Sequence, residues 1–268
     1  MKIGIAGCAG RMGRMLVKTV LETEGATLSG GSEGKGHEAI GEDVAVLGGG
    51  TPSGMSVLDD PAELFSVSDV VIDFTSPDAT VDHAKLAESY SVALVVGTTG
   101  LRPADFDVLK WAGQSVAVVQ AANMSMGVNL LLGLTQQVAA ALGEAYDIEI
   151  VEMHHRHKVD APSGTALALG QAAADGRGVD LNAVSQRVRD GIVGARKTGE
   201  IGFATLRGGD VAGEHTVIFA GDGERIELSH KATSRTVFAN GAIRSALWTA
   251  GQPPGLYSMR QVLGLAGG

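Results

Sequence analysis

The chain has 268 residues, 44% of them hydrophobic and 19% charged, with a formal net charge of −9 and a single cysteine, Cys8. That length suits two modest domains able to bury a substantial core, and the composition excludes disorder. The acidic balance leaves no basic excess to displace counterions from a nucleic acid, and one cysteine excludes an intramolecular disulfide framework and fits a reducing cytoplasm.

Residues 2–6 form a short apolar run bounded by glycine, as a buried strand does. They are too few and too glycine-rich for a signal peptide. Residues 11–23 place Met12, Met15, Leu16, Thr19 and Val20 on one helical face, and 26–32 form the next strand. A glycine-rich, weakly patterned stretch runs to about Gly54. Residues 70–74 and 92–96 are buried strands flanking a helix at 77–90, with Ser76 as its cap, Pro77 at its first position and Asp78 in its first turn. A helix at 103–113 and a strand at 116–120 follow. Strands alternating with helices at this spacing predict a Rossmann-like α/β domain with a doubly wound parallel sheet.

From residue 126 the pattern changes. A long apolar helix spans 126–142, a strand 146–153 and a helix 164–174. Runs of period two cover 203–207, 214–220 and 224–231, the last two flanking the hairpin signal Gly221-Asp222-Gly223. A helix at 234–249 and a tail after Pro253-Pro254-Gly255 close the chain. This predicts a smaller α+β domain with a mixed sheet. No apolar run approaches the roughly 20 residues of a membrane span, so no membrane association is expected.

Gly7-Cys8-Ala9-Gly10-Arg11-Met12-Gly13 links the first strand to the first helix, a G-x-x-G-x-x-G variant of the dinucleotide fingerprint. Gly7 and Gly10 permit a tight turn whose N–H groups meet a pyrophosphate at a helix N-terminus, and Gly13 permits close helix–strand packing. Arg11 and Met12 stand between them. Glu33, at the end of the second strand, has the offset of a ribose ligand. Glu33 favours the bare 2′-hydroxyl of NADH, whereas Lys35 and Arg11 could partner the 2′-phosphate of NADPH, so the residues leave the choice open. Gly97-Thr98-Thr99-Gly100 and Ala121-Ala122-Asn123-Met124-Ser125 end two further strands on the edge where the nicotinamide half binds.

The segment from Glu152 to Thr165 carries His154-His155-Arg156-His157-Lys158 and then Pro162-Ser163-Gly164-Thr165. Its histidines lack the H-x-x-x-H spacing of two imidazoles on one helical face, and Arg156 and Lys158 would repel a divalent ion, so no metal is expected. Histidine can donate a proton near neutrality, lysine supplies a point charge for a carboxylate, and Gly164 and Thr165 open a helix whose N–H groups attract anions. A capped helix after a solvated basic turn accounts for the same residues equally well. Arg187, Arg189, Arg196 and Lys197 form a second, looser basic set suited to a small anion. His154 and Lys158 are four residues apart, a separation that an extended strand keeps at roughly 13 Å. For both to serve one substrate, the chain must bend between them.

The run from His154 to Ala166 resembles the signature of the dihydrodipicolinate reductases. It is joined by 7–13, 97–100, 122–125, Gly208-Gly209-Asp210, His230, Ser234-Arg235 and 255–259, so the likeness spans essentially the whole chain. The resemblance implies reduction of a small cyclic dicarboxylate by NADH or NADPH on the diaminopimelate route to lysine. His154 would be the proton donor, Lys158 the second catalytic group, and His155, Gly164 and Thr165 the carboxylate ligands. Gly7, Met12, Glu33, Gly97, Thr99 and the Ala122–Met124 turn would meet the cofactor. It further implies a homotetramer built through the second domain, and a C-terminal return to the nucleotide domain. The division is then 1–125 with 236–268, and 126–235. Some members place an arginine directly after the acid aligned with Glu33, where this chain has Gly34. A dehydrogenase with a catalytic cysteine is a poor fit, since Cys8 sits in the phosphate turn. A nucleotide-sensing regulator would need neither His154 nor Lys158.

Overall fold

The computed structural model describes residues 1–265. Of the expected 236–268 stretch, residues 266–268 lie outside the described residues. The chain divides into two compact units, Met1–Met126 together with the segment from Thr236 onward, and Gly127–Arg235.

β1 (Lys2–Ala6) enters the glycine turn and α1 (Arg11–Glu22), followed by β2 (Thr27–Ser32). The buried stripe of α1 is Gly13, Leu16, Val17, Thr19 and Val20. Val17 therefore faces inward, while Met12 and Met15 are half-buried at the rim. Two short helices that hydrophobic periodicity does not reveal follow: α2 (Val44–Leu47), inside the weakly patterned stretch and capped by Asp43, and α3 (Pro61–Val67), beyond it and capped by Asp60 with Pro61 at its first position. β3 (Val70–Asp73), α4 (Pro77–Tyr90), β4 (Ala93–Val96), α5 (Pro103–Ala112) and β5 (Ala117–Gln120) complete the alternation. Ser76 caps α4 as expected, its Oγ accepting the Ala79 N–H at 3.4 Å.

α6 (Met126–Leu142) runs into a 3₁₀ turn, giving a 20-residue helical stretch with mean hydropathy 1.2. By length and composition alone this stretch is long and apolar enough to cross a membrane, a test that a core helix also passes. Asn129, Thr135, Gln136 and Gln137 interrupt the apolar run in sequence, yet the average over the helix stays high. In the fold its Leu131 and Ala139 join the core of the second unit, and a Cβ at Gly176 would lie 2.3 Å from the Gln136 carbonyl.

β6 (Asp147–His154), α7 (Gly164–Arg177), α8 (Leu181–Val184), β7 (Ser185–Gln186), β8 (Ile201–Arg207), β9 (Gly213–Gly221) and β10 (Glu224–Ala232) build the rest of this unit. The sheet order is β10-β9-β6-β8-β7, with β6 parallel to β8 and antiparallel to β9. Gly223, with φ 84°, turns the β9–β10 hairpin and sets Glu224 opposite Gly221. Ile148, Ile150, Phe203, Val217 and Phe219 meet Ala166, Leu169 and Ala173 of α7 in one core.

α9 (Thr236–Trp248), β11 (Gly255–Ser258) and α10 (Met259–Val262) return to the first unit. β11 lies parallel to β5, giving a six-stranded parallel sheet of order β11-β5-β4-β3-β1-β2. Alternation along each strand separates two cores. Ile3, Ile5, Ile72 and Val95 pack with α1 and α9, while Val71, Leu94 and Val96 pack with α3, α4 and α5. The order reverses between β1 and β3, which opens a crevice beyond the carboxyl ends of those strands.

Candidate functional site

The first unit holds the glycine turn at that crevice. Gly7 adopts φ 72°, a left-handed conformation that glycine favours, and its N–H and that of Cys8 donate to the Ser32 carbonyl at 2.8 and 3.2 Å. A Cβ on Gly13 would lie 2.0 Å from the Gly7 carbonyl, so only glycine lets α1 begin this close to β1. Gly10 gives α1 no side-chain cap, which leaves the leading N–H groups beside Arg11 and Met12 for another acceptor. The Ala9 N–H donates to Glu33 Oε1 at 2.7 Å, holding the carboxylate against the turn. Burial, with Glu33 nearby, pushes the Cys8 thiol up to about 12.

A cleft of about 410 Å³ joins Gly7, Glu33 and Lys35 to Asp59, Thr75 and Asp82. The loops at 97–99 and 122–124 follow β4 and β5 on the same edge of the sheet but do not line this cleft. Gly97 has a packing reason of its own, since a Cβ there would lie 2.2 Å from the Phe74 ring. Thr98 is buried and turned inward. Its Oγ1 accepts the Thr75 N–H at 3.0 Å and also bonds Thr80 and the buried Asp73. Burial by itself would raise the Asp73 pKa, yet its bonds to His83 and Thr75 outweigh that and hold it low. Thr99 and Ala122 are exposed. The Asn123 side chain accepts the Ser125 N–H at 2.8 Å, and Met124 is a core residue whose carbonyl a Cβ on Gly241 would meet at 1.8 Å.

In the second unit, alternation along β6 puts Ile148, Ile150, Glu152 and His154 on the buried face. The face turns from apolar to polar at its carboxyl end. His154 Nδ1 lies 2.5 Å from Glu152 Oε2, and a Cβ on Gly213 would come within 3.0 Å of His154 Nε2. Burial depresses the His154 pKa, reinforced by Lys158 and Arg207 and opposed by Glu152. The chain does bend after His154: the Lys158 N–H donates to the His155 carbonyl at 3.1 Å, closing a turn. Three further backbone bonds fasten this turn to the β8–β9 connection: Gly208 N–H to the His154 carbonyl, His155 N–H to Val211, and Arg156 N–H to Gly209. Lys158 Nζ donates to Asp160 Oδ1 at 2.8 Å, and this bond lowers the Asp160 pKa.

Ser163 caps α7, its Oγ accepting the Ala166 N–H at 3.1 Å and lying 3.2 Å from His215 Nε2. A Cβ at Gly164 would meet nothing within 4 Å, so neither chain conformation nor packing requires glycine there. Thr165 stands half-buried beside it. Two members of the second basic set, Arg189 and Arg196, are taken up by carboxylates. Arg189 and Arg196 both bond Glu149, and Arg196 also bonds Asp147 at 2.6 Å. Opposite charge on the outer face of β6, invisible in sequence order, neutralises them. Among the described residues no group of three or more histidine, cysteine, aspartate or glutamate side chains stands where it could hold a metal.

Glu152, Arg207 and His215 have no place among the residues singled out by sequence. Their one available signal is that Glu152 falls in phase with Ile148 and Ile150, and a carboxylate on a buried face needs partners.

Two family descriptions cover the chain in order: "Dihydrodipicolinate reductase, N-terminus" over residues 1–124, and "Dihydrodipicolinate reductase, C-terminus" over 127–263. A 4-hydroxy-tetrahydrodipicolinate reductase of Dinoroseobacter shibae is 56% identical over 263 residues, 98% of each chain. One from Rhodopseudomonas palustris is 53% identical over 266 residues, 99% of this chain and 98% of its own. Among solved structures, a dipicolinate-bound dihydrodipicolinate reductase from Paenisporosarcina sp. TG-14 shares the fold, with TM-score 0.76, 24% identity, and coverage of 96% of this chain and 97% of its own. With both halves matched in order and relatives aligned along nearly their whole length, this chain is an oxidoreductase belonging to the dihydrodipicolinate reductase family.

Proposed function

We propose that the chain reduces 4-hydroxy-tetrahydrodipicolinate, a cyclic dicarboxylate also written as its dehydrated form dihydrodipicolinate, to tetrahydrodipicolinate in lysine biosynthesis. The observation that carries this reading is the end of β6. There a buried histidine with its Nδ1 on Glu152 is followed by a turn that carries Lys158, and the same carboxylate accepts the Ser163 N–H at the N-terminus of α7. Reduction takes up one hydride and one proton, and from the 4-hydroxy substrate a water leaves. When bound, NADH or NADPH supplies the hydride.

The chain's own residues do the rest. His154 donates the proton from Nε2. Lys158 acts as the second catalytic group by offsetting negative charge that develops on the substrate. His155 and the N–H groups and hydroxyl at Gly164 and Thr165 hold the carboxylates, where the helix dipole favours anions. The absence of a structural need for glycine at 164 supports close approach by a ligand. Residues 126–235 are assigned to substrate binding and assembly of a homotetramer, and residues 1–125 with the C-terminal return to the nucleotide.

For the nucleotide, the uncapped start of α1 fits a pyrophosphate, and Gly7, Gly10 and Gly13 fit its approach. The ribose cleft carries Glu33, Asp59 and Asp82 against Lys35 alone, an excess of negative charge that disfavours a 2′-phosphate. NADH is therefore the preferred donor. Titration of the chain with each nucleotide is expected to give NADH the lower Kd by about tenfold, roughly 1.4 kcal/mol. A lower Kd for NADPH overturns the preference without touching the reaction. The reaction itself is tested by adding the products of a dihydrodipicolinate synthase to the chain with NADH or NADPH. Loss of nicotinamide absorbance is expected, and no oxidation of either nucleotide sinks the assignment.

A further inference from the structure

We propose that Glu152 and Arg207 are positioning residues for His154: the buried carboxylate fixes the imidazole with its proton on Nδ1, and Arg207 fixes the carboxylate. This deepens, and rests on, the reading of His154 as the proton donor.

Glu152 is 1% exposed, in phase with Ile148 and Ile150 on the buried face of β6. An apolar side chain would continue that packing, and replacing a buried ion pair by apolar groups is often neutral or stabilising. The carboxylate instead gathers four contacts. Arg207 forks onto both oxygens at 2.9 and 3.0 Å, the Ser163 N–H donates to Oε1 at 3.0 Å, and His154 Nδ1 lies 2.5 Å from Oε2. Arg207 also donates to the carbonyls of Leu206 and Asp160, each at 2.6 Å, so the same guanidinium ties the carboxylate to the residue whose side chain holds Lys158. One network thus spans both groups assigned to catalysis.

The chemistry follows from donor and acceptor counts. An ionised carboxylate only accepts, so the ring nitrogen facing Glu152 must carry hydrogen. In imidazolium the other proton sits on Nε2, which makes no hydrogen bond among the described residues. Giving up that proton leaves neutral histidine already in the Nδ1–H tautomer, with the Glu152 bond intact. No rearrangement intervenes before reprotonation. Glu152 is the anion on His154. The other groups facing the ring are Lys158 from the turn, Arg207 from β8 and His215 from β9, with ring centroids 5.1 Å apart. Burial depresses the His215 pKa to about 4, so it stays neutral and does not compete for the proton.

The test has two arms. Long-range ¹H–¹⁵N spectra of histidine-labelled wild-type protein, with His154 assigned by comparison with His154→Gln, are expected to show the Nδ1–H tautomer in the neutral form. The Nε2–H tautomer overturns the proposal, whatever any variant does. In the second arm, Glu152→Gln removes the anion but keeps the shape. A proton donor loses activity as pH rises through its pKa, and losing an adjacent opposite charge lowers that pKa. The alkaline limb of kcat/KM is therefore expected to move to lower pH by about 1 to 3 pH units, with NADH affinity unchanged. Glu152→Asp is expected to return the limb towards its wild-type position. An unmoved limb in folded Glu152→Gln overturns the proposal. Wild-type turnover in His154→Gln removes the donor assignment instead, and the tautomer measurement still decides the Glu152 geometry.

Discussion

His154 shows how one residue's chemistry depends on neighbours far away in sequence. Burial alone pushes its imidazole towards the neutral form, and Lys158 and Arg207 push the same way. Only Glu152 opposes them; burial would raise the Glu152 pKa, but its bonds to Arg207, His154 and the Ser163 N–H together hold it low. Replacing His154 by glutamine should lower kcat by about 10² to 10⁴ while leaving NADH affinity within twofold, as steady-state kinetics and nucleotide titration would show. Equal losses in both would mean that the residue serves binding. Cys8, the lone thiol, is part of the glycine turn with its side chain buried in the core, and its high pKa keeps it protonated and unreactive at neutral pH.

At the scale of elements, two glycines at helix starts make contrasting predictions. Gly13 is fixed by sterics, because a Cβ would overlap the Gly7 carbonyl and the Cys8 backbone at 2.0 and 2.6 Å. Gly13→Ala should therefore displace α1 and lose both nucleotide affinity and stability, by about 1–3 kcal/mol on overpacking alone, measurable by denaturant titration. Gly164 has open space around it. Gly164→Ala should leave the melting temperature within a few degrees yet raise the substrate KM; an unchanged KM would argue that no ligand approaches there. Cap and proline signals located α4, and the same kind of signal at Asp60-Pro61 marks α3. Hydrophobic periodicity missed α2, α3 and β11 because four to seven residues complete too few turns or alternations to stand out.

For the whole molecule, buried histidines and carboxylates predict loss of stability in acid. His215 has a pKa depressed from 6.5 to about 4 by burial, so between those values the unfolded chain binds more protons than the folded one. Its contribution is intact above pH 6.5, declines as pH falls towards 4 and then levels, a loss of about 3 kcal/mol. His154 and His230 act in the same direction. The lowered carboxylates Asp73 and Glu152 add their own loss only at still lower pH, as each protonates through its depressed pKa. Urea titrations at pH 7 and pH 4.5 should show this decline, and His215→Gln should flatten it; an equal decline in that variant would place the acid sensitivity elsewhere.

The alternation of strands and helices, the glycine turn with its acid at Glu33 and the hairpin at Gly223 are legible in the sequence because each is local, set by spacing, caps and turn residues within a few positions of the chain. The segment from His154 to Thr165 reads equally well as a capped helix after a basic turn, and only the family resemblance marks it as a site. The tertiary structure decided which charges meet. Glu149 neutralises Arg189 and Arg196 across 40 and 47 residues, Glu152 finds Arg207 across 55, and β11 closes the parallel sheet against β5. Pairings of that kind depend on strand register and on burial, which raises the electrostatic stakes of every contact, and neither is written in the order of residues.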